Sequence, residues 1–117
     1  MRSAILLALP FAAANATAAT HYLDLVNTAD HSIVAFSIAM PGSNRFRALP
    51  LGTAPLHGGG DSATVAIRDA GCHVDLRTEF GNGRVLIQKN FDVCKYRSYH
   101  TGQYLRRAMQ TTIATTS

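Results

Sequence analysis

The stretch from Cys72 to Cys94, CHVDLRTEFGNGRVLIQKNFDVC, decides the fold. It opens with an alternation that puts Cys72, Val74, Leu76 and Phe80 on an inward face and His73, Asp75, Arg77 and Glu79 on an outward one. A period of two marks a half-buried strand. Gly81-Asn82-Gly83-Arg84 follows, and its Asn-Gly dipeptide favours a type I′ hairpin turn, in which both central residues take positive φ. Val85 to Asn90 then returns as the partner strand. With Asn82-Gly83 at the tip, Phe80 is expected opposite Val85, Thr78 opposite Ile87 and Cys72 opposite Val93, one residue short of Cys94. A single bulge, or slack past the strand ends, closes that gap. A Cys72–Cys94 disulfide would therefore staple the open end of the hairpin.

That pairing needs an oxidising compartment, and the beginning of the chain supplies the argument for one. Residues 1–19, MRSAILLALPFAAANATAA, read as a secretory signal peptide. Arg2 is the positive n-region, Ala4 to Ala14 is apolar, and the small residues around Ala16 to Ala19 suit cleavage after Ala18 or Ala19. The apolar run is too short to cross hydrocarbon, which needs about 20 residues. No cysteine stands near the cleavage site to carry a lipid anchor. In an exported chain, two cysteines imply a disulfide. The expected organisation is a signal peptide over 1–19, a β-sandwich domain over 20–104 and a C-terminal tail over 105–117.

Outward from the hairpin, the chain keeps the marks of an all-β fold: a small antiparallel β-sandwich of about seven strands. Tyr22 to Asn27 reads as a strand, ended by the turn residues Asn27-Thr28-Ala29-Asp30. Ser32 to Met40 is a second, with Val34, Phe36, Ile38 and Met40 on one face and Ile33, Ala35, Ser37 and Ala39 on the other. Residues 45–61 form an irregular connection in which Leu49 and Leu51 tuck inward. Its glycine triplet Gly58-Gly59-Gly60 reads as a flexible lead-in. Ser62 to Arg68 turns Ala63, Val65 and Ile67 to the core. Residues after 104 lose the alternation and read as a mobile or weakly helical tail.

The formal net charge is +4, from 11 basic and 7 acidic side chains. Most of the arginines are scattered, which argues against a nucleic-acid partner; only Lys95, Arg97, Arg106 and Arg107 gather. No run beyond the signal is apolar enough for a membrane span. The mature protein is read as a soluble monomer of the periplasm or exterior.

One ordered set of residues resembles a group of small exported bacterial proteins of unassigned function. The set is Asn27-Thr28 before an apolar strand, the loop Ser43-Asn44-Arg45-Phe46, Leu51-Gly52, then Gly60, Ser62 and Thr64. It ends on Cys72-His73-Val74-Asp75-Leu76-Arg77, a glycine turn, and Asn90-Phe91-Asp92-Val93-Cys94. The group shares a C-x-x-D-L-R strand, a Gly turn and an N-x-x-x-C return. The similarity spans roughly residues 22–97 and departs at Phe46, where the group tends to carry Trp. It implies an exported, disulfide-stapled β-domain, with structural roles for Asp75 and Arg77, and no mechanism.

Two sets of side chains carry candidate chemistry. Tyr96, Arg97, Tyr99, His100 and Tyr104, with Lys95, interleave aromatics and cations, a composition suited to sugars or anionic polymers. They are the expected binding residues of an envelope accessory protein with an envelope or extracellular partner. The alternative is a periplasmic metal-binding protein using surface histidines, and its site would draw on His73, Asp75 and Asp92. The five histidines His21, His31, His57, His73 and His100 are widely spaced. No G-x-S-x-G or H-E-x-x-H motif accompanies them, so neither an enzyme nor a cofactor is expected.

Overall fold

A computed structural model describes residues 20–52 and 55–116. The signal-peptide reading lies outside them. The described residues form seven strands and one helix: β1 His21–Asn27, β2 Ile33–Ala39, β3 Arg47–Leu49, β4 Asp61–Ile67, β5 His73–Phe80, β6 Val85–Asp92, β7 Ser98–His100 and α1 Thr101–Thr116. Two sheets result, one in the order β4-β1-β7 and the other β3-β2-β5-β6. All neighbours are antiparallel except β1 and β7, which run parallel, with Asp24 opposite Ser98.

The inner faces of both sheets share one apolar core. Leu23, Leu25, Val65, Ile67 and Tyr99 come from the first sheet, and Phe36, Ile38, Leu76, Phe80, Leu86 and Phe91 from the second. Burying each large apolar side chain is worth about 1.5–3 kcal/mol, so this layer is what holds the sheets together. Ala63, Leu49 and Leu51 pack against it as expected, although Leu49 does so from the short strand β3, where an irregular connection was expected.

Several local expectations are corrected. On β2 the face switches: Ile33 is fully buried, whereas Val34 and Met40 are 51% and 56% exposed. The pairing with β5 shifts between Ile33, opposite Phe80, and Ala35, opposite Glu79. The extra residue turns Val34 out while keeping Ile33, Phe36 and Ile38 in. Ile33 is fixed by two backbone bonds to Leu56, at 2.8 and 3.0 Å.

At the hairpin tip, Val85 faces Glu79, not Phe80, and Ile87 faces Arg77. Phe80 carbonyl accepts from Gly83 N–H at 3.0 Å, and Phe80 N–H donates to Arg84 carbonyl at 2.9 Å. Only Gly83 in the tip has positive φ, at 89°. That is a three-residue loop closed by a glycine in the left-handed region, which competes with type I′ for the same Gly-Asn-Gly sequence. The register then shifts between Val74 and Leu76, so His73 faces Asp92. Cys72 carbonyl accepts from Val93 N–H at 2.8 Å, as the hairpin reading requires.

The third correction is Asp75. It lies on the outward parity of β5 yet is only 1% exposed. Its carboxylate accepts from Asn90 N–H at 2.8 Å and Gly42 N–H at 2.9 Å. Asn90 has φ 57° and belongs to the bulged part of β6. A bulge leaves an unpaired donor, and Asp75 takes it up while also tying down the turn after β2.

The Cys72–Cys94 disulfide is present, with Cα atoms 5.1 Å apart. Both cysteines are exposed at the rim of the sandwich, so Cys72 is not an inward residue. Residues 105–116, expected as a mobile or weakly helical tail, are helical and belong to α1, which begins at Thr101. The helix is held at its start from across the fold: Thr28 Oγ accepts from Gly102 N–H at 2.8 Å, and Thr101 Oγ donates to Asn27 Oδ1 at 3.0 Å. Among the described residues no helix is long and apolar enough to cross a membrane.

Candidate functional site

The segment after β6 divides into a structural half and an exposed half. Tyr99 is fully buried, Tyr104 is half-buried, and Tyr96 is 46% exposed. Their rings stack through Phe91: centroids lie 5.2 Å apart for Phe91–Tyr99, 4.7 Å for Tyr99–Tyr104 and 5.7 Å for Phe91–Tyr96. Such pairs add about 0.5–1.5 kcal/mol each beyond area burial. Tyr99 therefore belongs to the core, and its phenol is held above its ordinary value, first by desolvation and second by Tyr104. Tyr104 docks the first turns of α1, with the Arg107 guanidinium 5.2 Å from its ring centre.

Tyr96, Arg97 and His100 remain at the surface. Lys95 Nζ sits 5.3 Å from the Tyr96 ring centre. Asp24 N–H donates to the Arg97 carbonyl at 2.9 Å, which sets Arg97 beside the start of β1. There Arg97 lines a cleft of about 300 Å³ with Thr20, His21, Tyr22, Val93 and Cys94. Tyr22 is 60% exposed, and His21 Nε2 lies 3.9 Å from Cys94 Sγ. An arginine, a histidine and a tyrosine thus line one cleft beside the disulfide. His21 and Tyr22 were not predicted to join it. The parallel β1–β7 pairing makes the contact, and partners so far apart in sequence leave no local signal.

The candidate metal residues do not converge. His73 and Asp92 face each other, Nε2 to Oδ2 at 3.7 Å, on the outer surface. Both Asp75 oxygens are already committed to backbone N–H groups. Among the described residues, the converging ligand atoms are those of Cys72, Asp92 and Cys94, within 4.8 Å of one another. Both sulfurs are in the disulfide, and the thiolate is the form that ligates. His73–Asp92 is an exposed cross-strand pair worth under about 1 kcal/mol.

No known family pattern, curated protein or solved structure matches this chain.

Proposed function

We propose that the protein is an exported binding protein of the cell envelope that acts by recognition, not catalysis. Its ligand is an anionic polymer with sugar-like faces. The supporting observation is the cleft beside the disulfide, where Arg97, His21 and Tyr22 stand together and the exposed Tyr96–Lys95 pair follows Cys94 in the chain. Aromatic faces stack on sugar rings and cations neutralise acidic groups, so affinity falls as salt rises. A disulfide among the described residues, and no helix there able to span a membrane, are compatible with work outside the cytoplasm.

The test is a titration of the disulfide-bonded protein with dextran sulfate, with neutral dextran as reference. Arg97→Ala and Tyr96→Ala are each expected to weaken dextran sulfate binding about tenfold, a change of about 1.4 kcal/mol. Equal binding by both variants and the unchanged protein would remove the proposal.

A further inference from the structure

The opposite end of the sandwich carries a second cleft, made by three segments remote in sequence. β1 starts at the disulfide and ends at Asn27, so the β1–β2 turn lies at the far end from Arg97. The β5–β6 tip and the first turns of α1 meet it there. The cleft they enclose measures about 350 Å³. Its polar wall includes His31 from the turn, Arg84 from the tip and Arg106 from the helix, with Asp30 alongside. Ala29, which is buried, and Leu105, which is half-buried, give it an apolar side.

Two features distinguish this cleft from scattered surface charge. The first is rigidity. Asn27 is fully buried and fixes the turn by four hydrogen bonds: Nδ2 donates to the His31 and Leu56 carbonyls, both at 2.8 Å, and Oδ1 accepts from Ala29 N–H at 3.1 Å and Thr101 Oγ at 3.0 Å. Thr28 binds the turn to the helix through Gly102. A site whose supports are locked in this way loses little entropy on binding. The second is unspent donors. Among the described residues the guanidinium groups of Arg84 and Arg106 and the imidazole of His31 make no ion pair or hydrogen bond. Asn82 Oδ1 is occupied by Arg84 N–H at 3.1 Å, which leaves its amide N–H₂ available. The Thr28 hydroxyl accepts from Gly102 and keeps its own proton to donate.

We infer that this cleft is a binding site for a small molecule bearing an oxyanion, phosphate or carboxylate, gripped by Arg84, Arg106 and His31 with its apolar part against Leu105. Planar guanidinium groups bind oxyanions through paired charge-assisted hydrogen bonds, and two from different elements give the grip direction. Asp30 opposes the anion, so it limits how much negative charge the cleft tolerates.

The experiment is an amide and arginine side-chain NMR titration of the disulfide-bonded protein with inorganic phosphate and, separately, succinate, at constant ionic strength. The expected result is saturable shifts at His31, Arg84, Gly102 and Arg106, with no comparable change at Arg45 or Arg68. The tighter probe names the head group. Arg84→Ala and Arg106→Ala each weaken binding about tenfold. Asp30→Asn, which removes the opposing charge, tightens it about two- to fivefold. These side chains are exposed and unpaired, so unchanged melting temperatures verify that the variants fold. Arg97→Ala, at the other end, leaves the titration unaltered and separates this site from the polymer surface. Non-saturating shifts spread over all arginines, or an Arg84→Ala,Arg106→Ala double variant that titrates like the parent, would overturn the inference.

Discussion

Asn27, Asp75 and Tyr99 are buried polar residues with different accounts. Asp75 spends its carboxylate on two backbone N–H groups, and Asn27 bonds three backbone groups of the turns and the Thr101 hydroxyl. Each such bond contributes a net of about 0.5–1.5 kcal/mol, and losing the side chain strands its buried partners at greater cost. Tyr99 is the exception, because its buried hydroxyl has no partner among the described residues. Tyr99→Phe is therefore expected to leave stability at pH 7 unchanged or raise it by about 1 kcal/mol, measured by urea unfolding. The alkaline limb gives a second check. Burial raises the folded-state phenol above the tyrosine value of about 10 that the unfolded chain keeps. Below pH 10 both states are neutral and the contribution is whole. Above it the unfolded chain ionises first, and stability falls as pH climbs towards the folded value. Tyr99→Phe should flatten that fall, and a loss above about 1 kcal/mol at pH 7 would contradict this account of the hydroxyl.

Among the elements, legibility followed the reach of the interactions. The β5–β6 hairpin and β4 were visible because period-two alternation is set by neighbours on the same strand. The faces of Val34 and Asp75 were not, because the first turns on a shift beside Ile33, which Leu56 holds, and the second on Asn90 and Gly42, whose N–H groups bond the Asp75 carboxylate. Helix α1 reads from sequence as no more than a mobile or weakly helical tail for a related reason. It opens with Thr101-Gly102, has no acidic residue in its first turn and no basic residue in its last. Its capping groups come instead from Asn27 and Thr28, 74 positions earlier. The Asn27-Thr28 pair reads in the sequence as a strand end, but its work on the helix needs the fold. Gly102 records the closeness of that dock, since a Cβ there would lie 2.7 Å from the Thr28 carbonyl. Thr28→Ala removes the cap without adding bulk. It should cost about 1 kcal/mol and speed amide exchange in the first turn of α1 before that in β5. Uniform acceleration through β5 and α1 would show that the contact serves the whole fold and not the helix end.

For the molecule as a whole, the disulfide and the Asn27 hub stiffen opposite ends of one small sandwich. The described chain is short, and domains of this size retain only about 5–15 kcal/mol of net stability. The Cys72–Cys94 bond spans 22 positions. In the chain-entropy account, closing such a loop removes freedom from the unfolded state worth roughly 3 kcal/mol. A Cys72→Ala,Cys94→Ala variant should therefore still fold at 25 °C but melt about 12–24 °C lower by calorimetry. The loss should also be uneven. Val93 and Arg97 line the cleft beside the bond, whereas His31 and Arg84 lie at the end held by Asn27. Hydrogen exchange is expected to rise around residues 92–98 while the amides of residues 27–31 keep their protection relative to global unfolding. A variant that melts with the parent would mean that the two β-strands already hold the hairpin's open end without the bond. Equal loosening at both ends would mean that the sandwich opens as one unit, and the two clefts could not then respond separately to redox conditions.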